Sequence, residues 1–171
     1  MPGSLSSGPS AQRGRAFQFA AALSKTGDTE AAARDLADDV LEKLAGKPID
    51  LACVFFSSHH AVRAEVLASM LTESLRPRLL IGCSGEGVIS GSEELETAPA
   101  VTLWAAALPG VGLDPFRSSF SPTQDQFQLA GWPSPGVDNA PFLLFADPYT
   151  TPVQEVLGLF EDRYPGAQKG T

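Results

Sequence analysis

Residues able to do chemistry are few in this 171-residue chain, and they gather at a handful of places. The densest is Gly82-Cys83-Ser84-Gly85-Glu86-Gly87, at the end of a predicted strand. Glycines there permit a tight turn and let backbone N–H groups come close to a ligand, and a concave run of such groups can hold an anion. The run is not a phosphate-binding P-loop, because no Gly-Lys-Ser/Thr comes after it. It opens like a dinucleotide fingerprint with Gly85 and Gly87, but Ser90 stands where the third glycine belongs. The residues beyond Gly87 read as extended, so no helix N-terminus is offered to a phosphate. Glu86 likewise breaks the pattern of a nucleophile elbow. The plain alternative is a glycine turn or bulge at a strand end.

Cys83 is the candidate nucleophile, and a thiol needs a base beside it to react. The only histidines, His59 and His60, are adjacent and begin a predicted second helix above the same strand ends. Against this, buried cysteines commonly act as small apolar residues. Neighbouring histidines on a helix point about 100° apart, so one metal ion is poorly served by both. Asp147 comes directly after a predicted strand over 142–145, and Asp-Pro also starts turns. Ligands of open α/β sheets sit beyond the carboxyl ends of the strands. If the strands run parallel, His59, Ser84, Glu86 and Asp147 all lie there. The candidate ligand-binding residues are thus Cys83, Ser84, Gly85, Glu86, Gly87, His59, His60 and Asp147. No catalytic or metal-binding constellation is complete, and the residues call for no cofactor.

Several elements must position these groups. A first strand is expected over 16–24 and a turn over 25–28, with Asp28 or Thr29 as N-cap. Ala33, Leu36, Ala37, Val40, Leu41 and Leu44 recur at helical steps, with Asp35, Asp38, Asp39 and Glu42 opposite, and Gly46 and Pro48 end the helix. Residues 51–56 form a continuous apolar run, as in a strand covered on both faces. A second amphipathic stripe runs from Val62 to Leu75 and stops before Pro77, and 79–83 is another short buried run. Strand, helix, strand, helix, strand argues for an α/β fold: a mixed sheet whose N-terminal half is parallel, with packed helices.

After Gly82 the runs are short and broken by Gly, Pro and Ser, which predicts an antiparallel meander with a hairpin turn at Pro109-Gly110. Residues 118–140 read as a long loop with one helical turn over 124–129, and Trp132 as an exposed anchor or a lid over the core. Thr151-Pro152-Val153-Gln154 predicts a capping box opening a last helix. Residues 1–15 are expected as a disordered leader, and 16–171 as one domain.

Composition narrows the partners. The net charge is −8 and no Lys/Arg cluster stands out, which argues against nucleic acid and against anionic membrane. Two cysteines fit reduced thiols in the cytoplasm better than a disulfide scaffold. No apolar run approaches the roughly 20 residues that span a bilayer.

In this order and spacing the pieces resemble a known family. They are Phe19 to Ser24 with Thr29 to Ala32, Asp50 to His60, Leu80 to Ile89, Ala100 to Ala106, and Asp147-Pro148 before a helix. Together they are similar to the N-terminal domain of the FIST family, named for F-box and intracellular signal transduction proteins. The resemblance implies a sensory domain that binds a small ligand, an amino acid or a derivative of one. It also implies a second, C-terminal domain or signalling partner, and a chain that lacks the end of its own domain. No catalytic residue carries over, so an enzyme is not expected. A protein-interaction module using the acidic helix or the Trp132 loop is the alternative, and a Cys83–His enzyme the third reading.

Overall fold

The computed structural model of the chain describes residues 16–122, 127–134, 140–147 and 149–166. The expected leader therefore lies outside the described residues. The chain forms two compact units, divided between Val111 and Gly112.

The first unit is built on a four-stranded sheet. Its strands are β1 (Gln18–Ser24), β2 (Leu51–Ser57), β3 (Leu79–Gly85) and β6 (Val101–Ala107), in the order β1-β6-β2-β3. β2 and β3 run parallel, and β6 is antiparallel to both β1 and β2. The expected mixed sheet is present, but the turn at Pro109-Gly110 does not close a hairpin. β6 leads into that turn and then into irregular chain over 111–118. The reason lies in β6 itself: all but Trp104 of its seven residues are buried, a demand only a central strand meets. It therefore inserts between β1 and β2. A short hairpin of β4 (Val88–Ser90) and β5 (Glu93–Leu95) comes after β3, and Lys25 pairs with Glu93 upon it.

Two helices cover one face of this sheet. Helix α1 (Thr29–Lys43) is capped by Asp28, whose Oδ1 accepts from the Ala31 N–H at 2.7 Å. Helix α2 (Ala64–Leu75) ends where Arg76 turns left-handed, at φ 47°, ahead of Pro77. A short 3-10 segment, Ser58–Arg63, precedes α2. The histidines therefore lie in that tighter segment and not in the helix predicted there. The core on this face is rich in alanine: Ala20, Ala22, Ala52 and Ala105 from the sheet meet Ala32, Ala33 and Ala37 from α1. Such small side chains let α1 lie close on β1 and β6, while Leu67 and Leu71 of α2 pack against it, fully buried.

The second unit is held differently. β7 (Ser119–Pro122) and β8 (Phe127–Ala130) form a hairpin, and helix α3 (Val153–Arg163) lies further along the chain. Residues 127–130 are thus extended where a helical turn was expected, and 123–126 lie outside the described residues. Phe142 to Phe145 does not form the strand predicted for it: Leu143 is 58% exposed and Leu144 39%. The Phe142 ring instead joins Phe116, Trp132, Phe160 and Tyr164, with ring centroids 5.0 to 6.2 Å apart. An aromatic cluster has satisfied the apolar demand that the sequence suggested a sheet would meet. Trp132 is half-buried in that cluster, with the Arg163 guanidinium 4.8 Å over its ring, so it is a lid and not an exposed anchor. The capping box at Thr151 does not form either. Pro152 itself occupies the N-cap, and no side chain bonds to the first turn of α3.

Candidate functional site

The parallel pair β2 and β3 brings two carboxyl ends side by side, with Phe55 opposite Cys83, Phe56 opposite Ser84 and Ser57 opposite Gly85. The 3-10 segment bearing the histidines packs against β3. His59, His60, Ser84 and Glu86 thus share one end of the sheet. Within that end they divide. Side chains alternate along a strand, so Ser84 stands on the helix-covered face beside Phe56, and Cys83 on the opposite face beside Phe55.

Cys83 is exposed; the buried thiol is Cys53, and burial pushes that thiol's pKa up. The imidazoles are engaged elsewhere. His59 is exposed, with Nδ1 3.3 Å from Ser57 Oγ. His60 has no exposed surface, and its Nδ1 lies 2.9 Å from the Thr29 hydroxyl. Its Nε2 is buried without a hydrogen bond of ordinary geometry. Burial, and then the neighbouring His59, hold the His60 pKa below the ordinary histidine value, against the Thr26 carbonyl and Asp28, which favour the proton. The ring thus stays neutral and pins the start of α1 to the end of β2. Ser57, 1% exposed, completes the pin: its Oγ accepts from the Ala100 N–H at 3.0 Å. Neither Ser57 nor Thr29 stood among the sequence candidates. Their signal was weak, since Thr29 read simply as a helix-cap residue and Ser57 simply follows an apolar run.

The glycines act by space rather than by turning. None of Gly82, Gly85 and Gly87 has a positive φ. A Cβ on Gly82 would sit 1.9 Å from the Val54 carbonyl oxygen, and one on Gly85 2.9 Å from the Gly87 carbonyl oxygen. Cys83, Ser84 and Gly85 belong to β3, which leaves only Glu86-Gly87 as loop.

Asp147 lies in the second unit, and its carboxylate is used locally. Oδ1 accepts from the Tyr149 N–H at 3.0 Å and Oδ2 from the Thr150 hydroxyl at 2.8 Å. Those two donors, the Tyr149 N–H first, lower its pKa. This is the Asx turn that was the plain reading of Asp-Pro. Among the described residues no cluster of three or more His, Cys, Asp or Glu could hold a metal ion.

An open cleft of about 450 Å³ lies where α2 stands off the sheet. Val54, Phe56, Leu80, Ile81 and Gly82 line it from β2 and β3, and Ala64, Glu65, Leu67 and Ala68 from α2. Glu65 is its only charged group. None of the sequence candidates lines it, although Ser84 is the next residue beyond Gly82 on that face of β3. The cleft escaped the sequence because its walls read as ordinary core.

A mixed sheet with helices on one face and polar groups at the ends of its parallel strands defines an α/β domain. The chain matches the FIST N domain family over residues 50–169, and it belongs to that family of signal-transduction sensory domains. It is similar to an uncharacterized protein of Mycobacterium tuberculosis, 31% identical over 144 residues, covering 84% of this chain and 37% of that one. A protein of Mycobacterium bovis, also uncharacterized, is 31% identical over 127 residues, covering 74% of this chain and 32% of the relative. The chain thus spans about a third of the length of these relatives. No solved structure matches. Among the described residues no helix is long and apolar enough to cross a membrane.

Proposed function

We propose that the chain is the small-ligand-sensing domain of a cytoplasmic signal transduction protein, and that its ligand is an amino acid or derivative with an apolar side chain. The observation that carries this reading is the cleft between α2 and β3. Its volume of about 450 Å³ falls within the range of small-molecule sites. Its walls are apolar apart from Glu65, which suits an apolar body bearing an ammonium group. Ser84, one step along the same face, offers a hydroxyl to the ligand's other end. His59, Cys83, Gly85, Glu86 and Gly87 surround that strand end, and a change there on binding is the signal passed to a C-terminal domain or partner protein.

The test is a thermal-shift titration with leucine, isoamylamine and 4-methylpentanoate. Ligands that bind only the folded state stabilise it by mass action, by about 2.7 kcal/mol at one hundred times Kd, and so raise the melting temperature. Leucine and the amine should give saturable shifts and the carboxylate alone none. Glu65→Gln should abolish the shifts without lowering the melting temperature of the free protein. Flat titrations with all three compounds remove the reading.

One observation favours a protein-interaction module as a second reading. Phe17 and Phe19 are 54% and 56% exposed, and Phe19 stacks on Trp104 on the sheet face away from the helices. Exposed aromatics of this kind are common anchors for a protein partner.

A further inference from the structure

The two edges of the four-stranded sheet are treated differently. Edge strands present unpaired N–H and C=O groups, and folded proteins usually blunt them with charge, proline, bulges or a covering side chain. β1 is blunted: Lys43 reaches back from α1 and donates to the Ala21 carbonyl at 2.7 Å, while holding Asp39 at 2.7 Å. β3 is not. Its seven residues, Leu-Leu-Ile-Gly-Cys-Ser-Gly, contain no charge and no proline, and its register with β2 runs unbroken. No strand among the described residues pairs with its outer side. Gly82, Cys83 and Ser84 are exposed there.

Charge lies only at the two ends of this strand. Arg78 immediately precedes it and Glu86 comes immediately after it. These two residues are equidistant from Gly82. An antiparallel copy of β3 centred on Gly82 therefore sets Arg78 opposite Glu86 twice, once at each end. Between them Leu79 meets Gly85, Leu80 meets Ser84, and Ile81 meets Cys83. Every pair keeps to its own face, so the helices of both copies stay on one side. A two-fold axis requires this kind of self-complementarity, in which the same patch serves both partners.

We propose that β3 is a self-pairing edge, through which two copies of the chain join antiparallel into one continuous eight-stranded sheet. The occupant is a second copy because its flanking charges match at both ends with the whole strand in register. The ligand reading plays no part in this pairing, and each can fail without the other.

Sedimentation of the full chain tests it, with a dimer expected at about 100 µM and dissociation on dilution. Like charges oppose each other when Arg78→Glu or Glu86→Arg pairs with itself, so each variant alone should be at least tenfold weaker. Mixing the two variants restores both opposite-charge pairs, and a heterodimer should return. Should Arg78→Glu fail to fold, because Arg78 also binds Asp50 at 2.9 Å, Ser84→Lys serves in its place. It sets a lysine on an exposed edge position and should give a folded monomer. Cys83 and Cys83 of the second copy become diagonal neighbours about 7–8 Å apart. A short bis-maleimide should therefore link them, Cys53 being buried. A wild-type chain that stays monomeric at about 100 µM overturns the proposal and leaves the edge to a strand of another protein. A dimer indifferent to Glu86→Arg and to Ser84→Lys overturns it equally, since it would join through another face.

Discussion

The unit up to Val111 and the unit from Gly112 solve the same problem with different materials. The first buries small residues between a hydrogen-bonded sheet and a close-packed helix. The second gathers four aromatic rings around Phe160, with short strands and much irregular chain. In the first, backbone ladders fix the strands and the side chains fill what space is left. In the second, large rings pack on one another and the backbone accommodates them. The lesson is that an apolar run needs a neighbour before it can be read as a strand. Leu51 to Phe56 had β6 and β3 on either side; Phe142 to Phe145 had a ring cluster.

If the contrast is right, the two units should break separately. Phe160→Ala is expected to have the largest effect, about 4 kcal/mol, because it empties the centre of the aromatic cluster. Its loss should appear in the near-ultraviolet signal of Trp132, read in a Trp104→Phe background. Amide protection of β2 and β6 should persist, and its collapse would show that the units unfold as one. Gly82→Ala should cost about 3 kcal/mol in the first unit, since the new methyl meets backbone rather than a flexible side chain. Urea denaturation monitored by Trp104 fluorescence measures it, and a neutral result would mean that β2 and β3 can part without loss.

Removing the α1 cap with Asp28→Ala should cost about 1 kcal/mol by the same denaturation. A fourth effect is a slope with pH. His60 has its folded-state pKa lowered, so the unfolded chain takes up a proton first as the pH falls below 6.5. The stability from the neutral ring is complete above that value and declines below it. Asp50 depends on protonation in the same direction but in a more acidic window, its folded-state pKa being lowered as well. The Arg78 guanidinium and then the Leu108 N–H hold its pKa below 3.8, so its contribution is lost only in stronger acid. Urea midpoints at pH 7.5 and 5.5 should therefore differ in the wild type and converge in His60→Gln. Smallest of all, Asp39→Ala removes a surface i, i+4 pair with Lys43 worth about 0.3 kcal/mol.

The same contrast explains which parts of the fold were legible in the sequence. Helices α1 and α2 and strands β2 and β3 showed in their periodicity, because a face must repeat wherever it is buried. The partner of β6 did not show, since pairing is set by distant residues. The glycine run was legible as unusual but not for its cause. Spacing suggests a turn, whereas Gly82 is needed for the room it leaves beside Val54. His60 carried no mark of burial, because its partner Thr29 lies thirty-one residues away. The Glu65 cleft was hidden because a helix that stands off a sheet has the same pattern as one that touches it.

The alanine layer beneath α1 makes the domain's tolerance to change one-sided. Side chains that carry a single methyl have almost nothing to lose, so truncation there opens little space. Growth is another matter, because every added methylene must push a helix off a sheet. In a library of random variants, Ala32, Ala33, Ala37, Ala52 and Ala105 should accept glycine or serine far more often than valine or leucine. That order is the reverse of the one a leucine core would give.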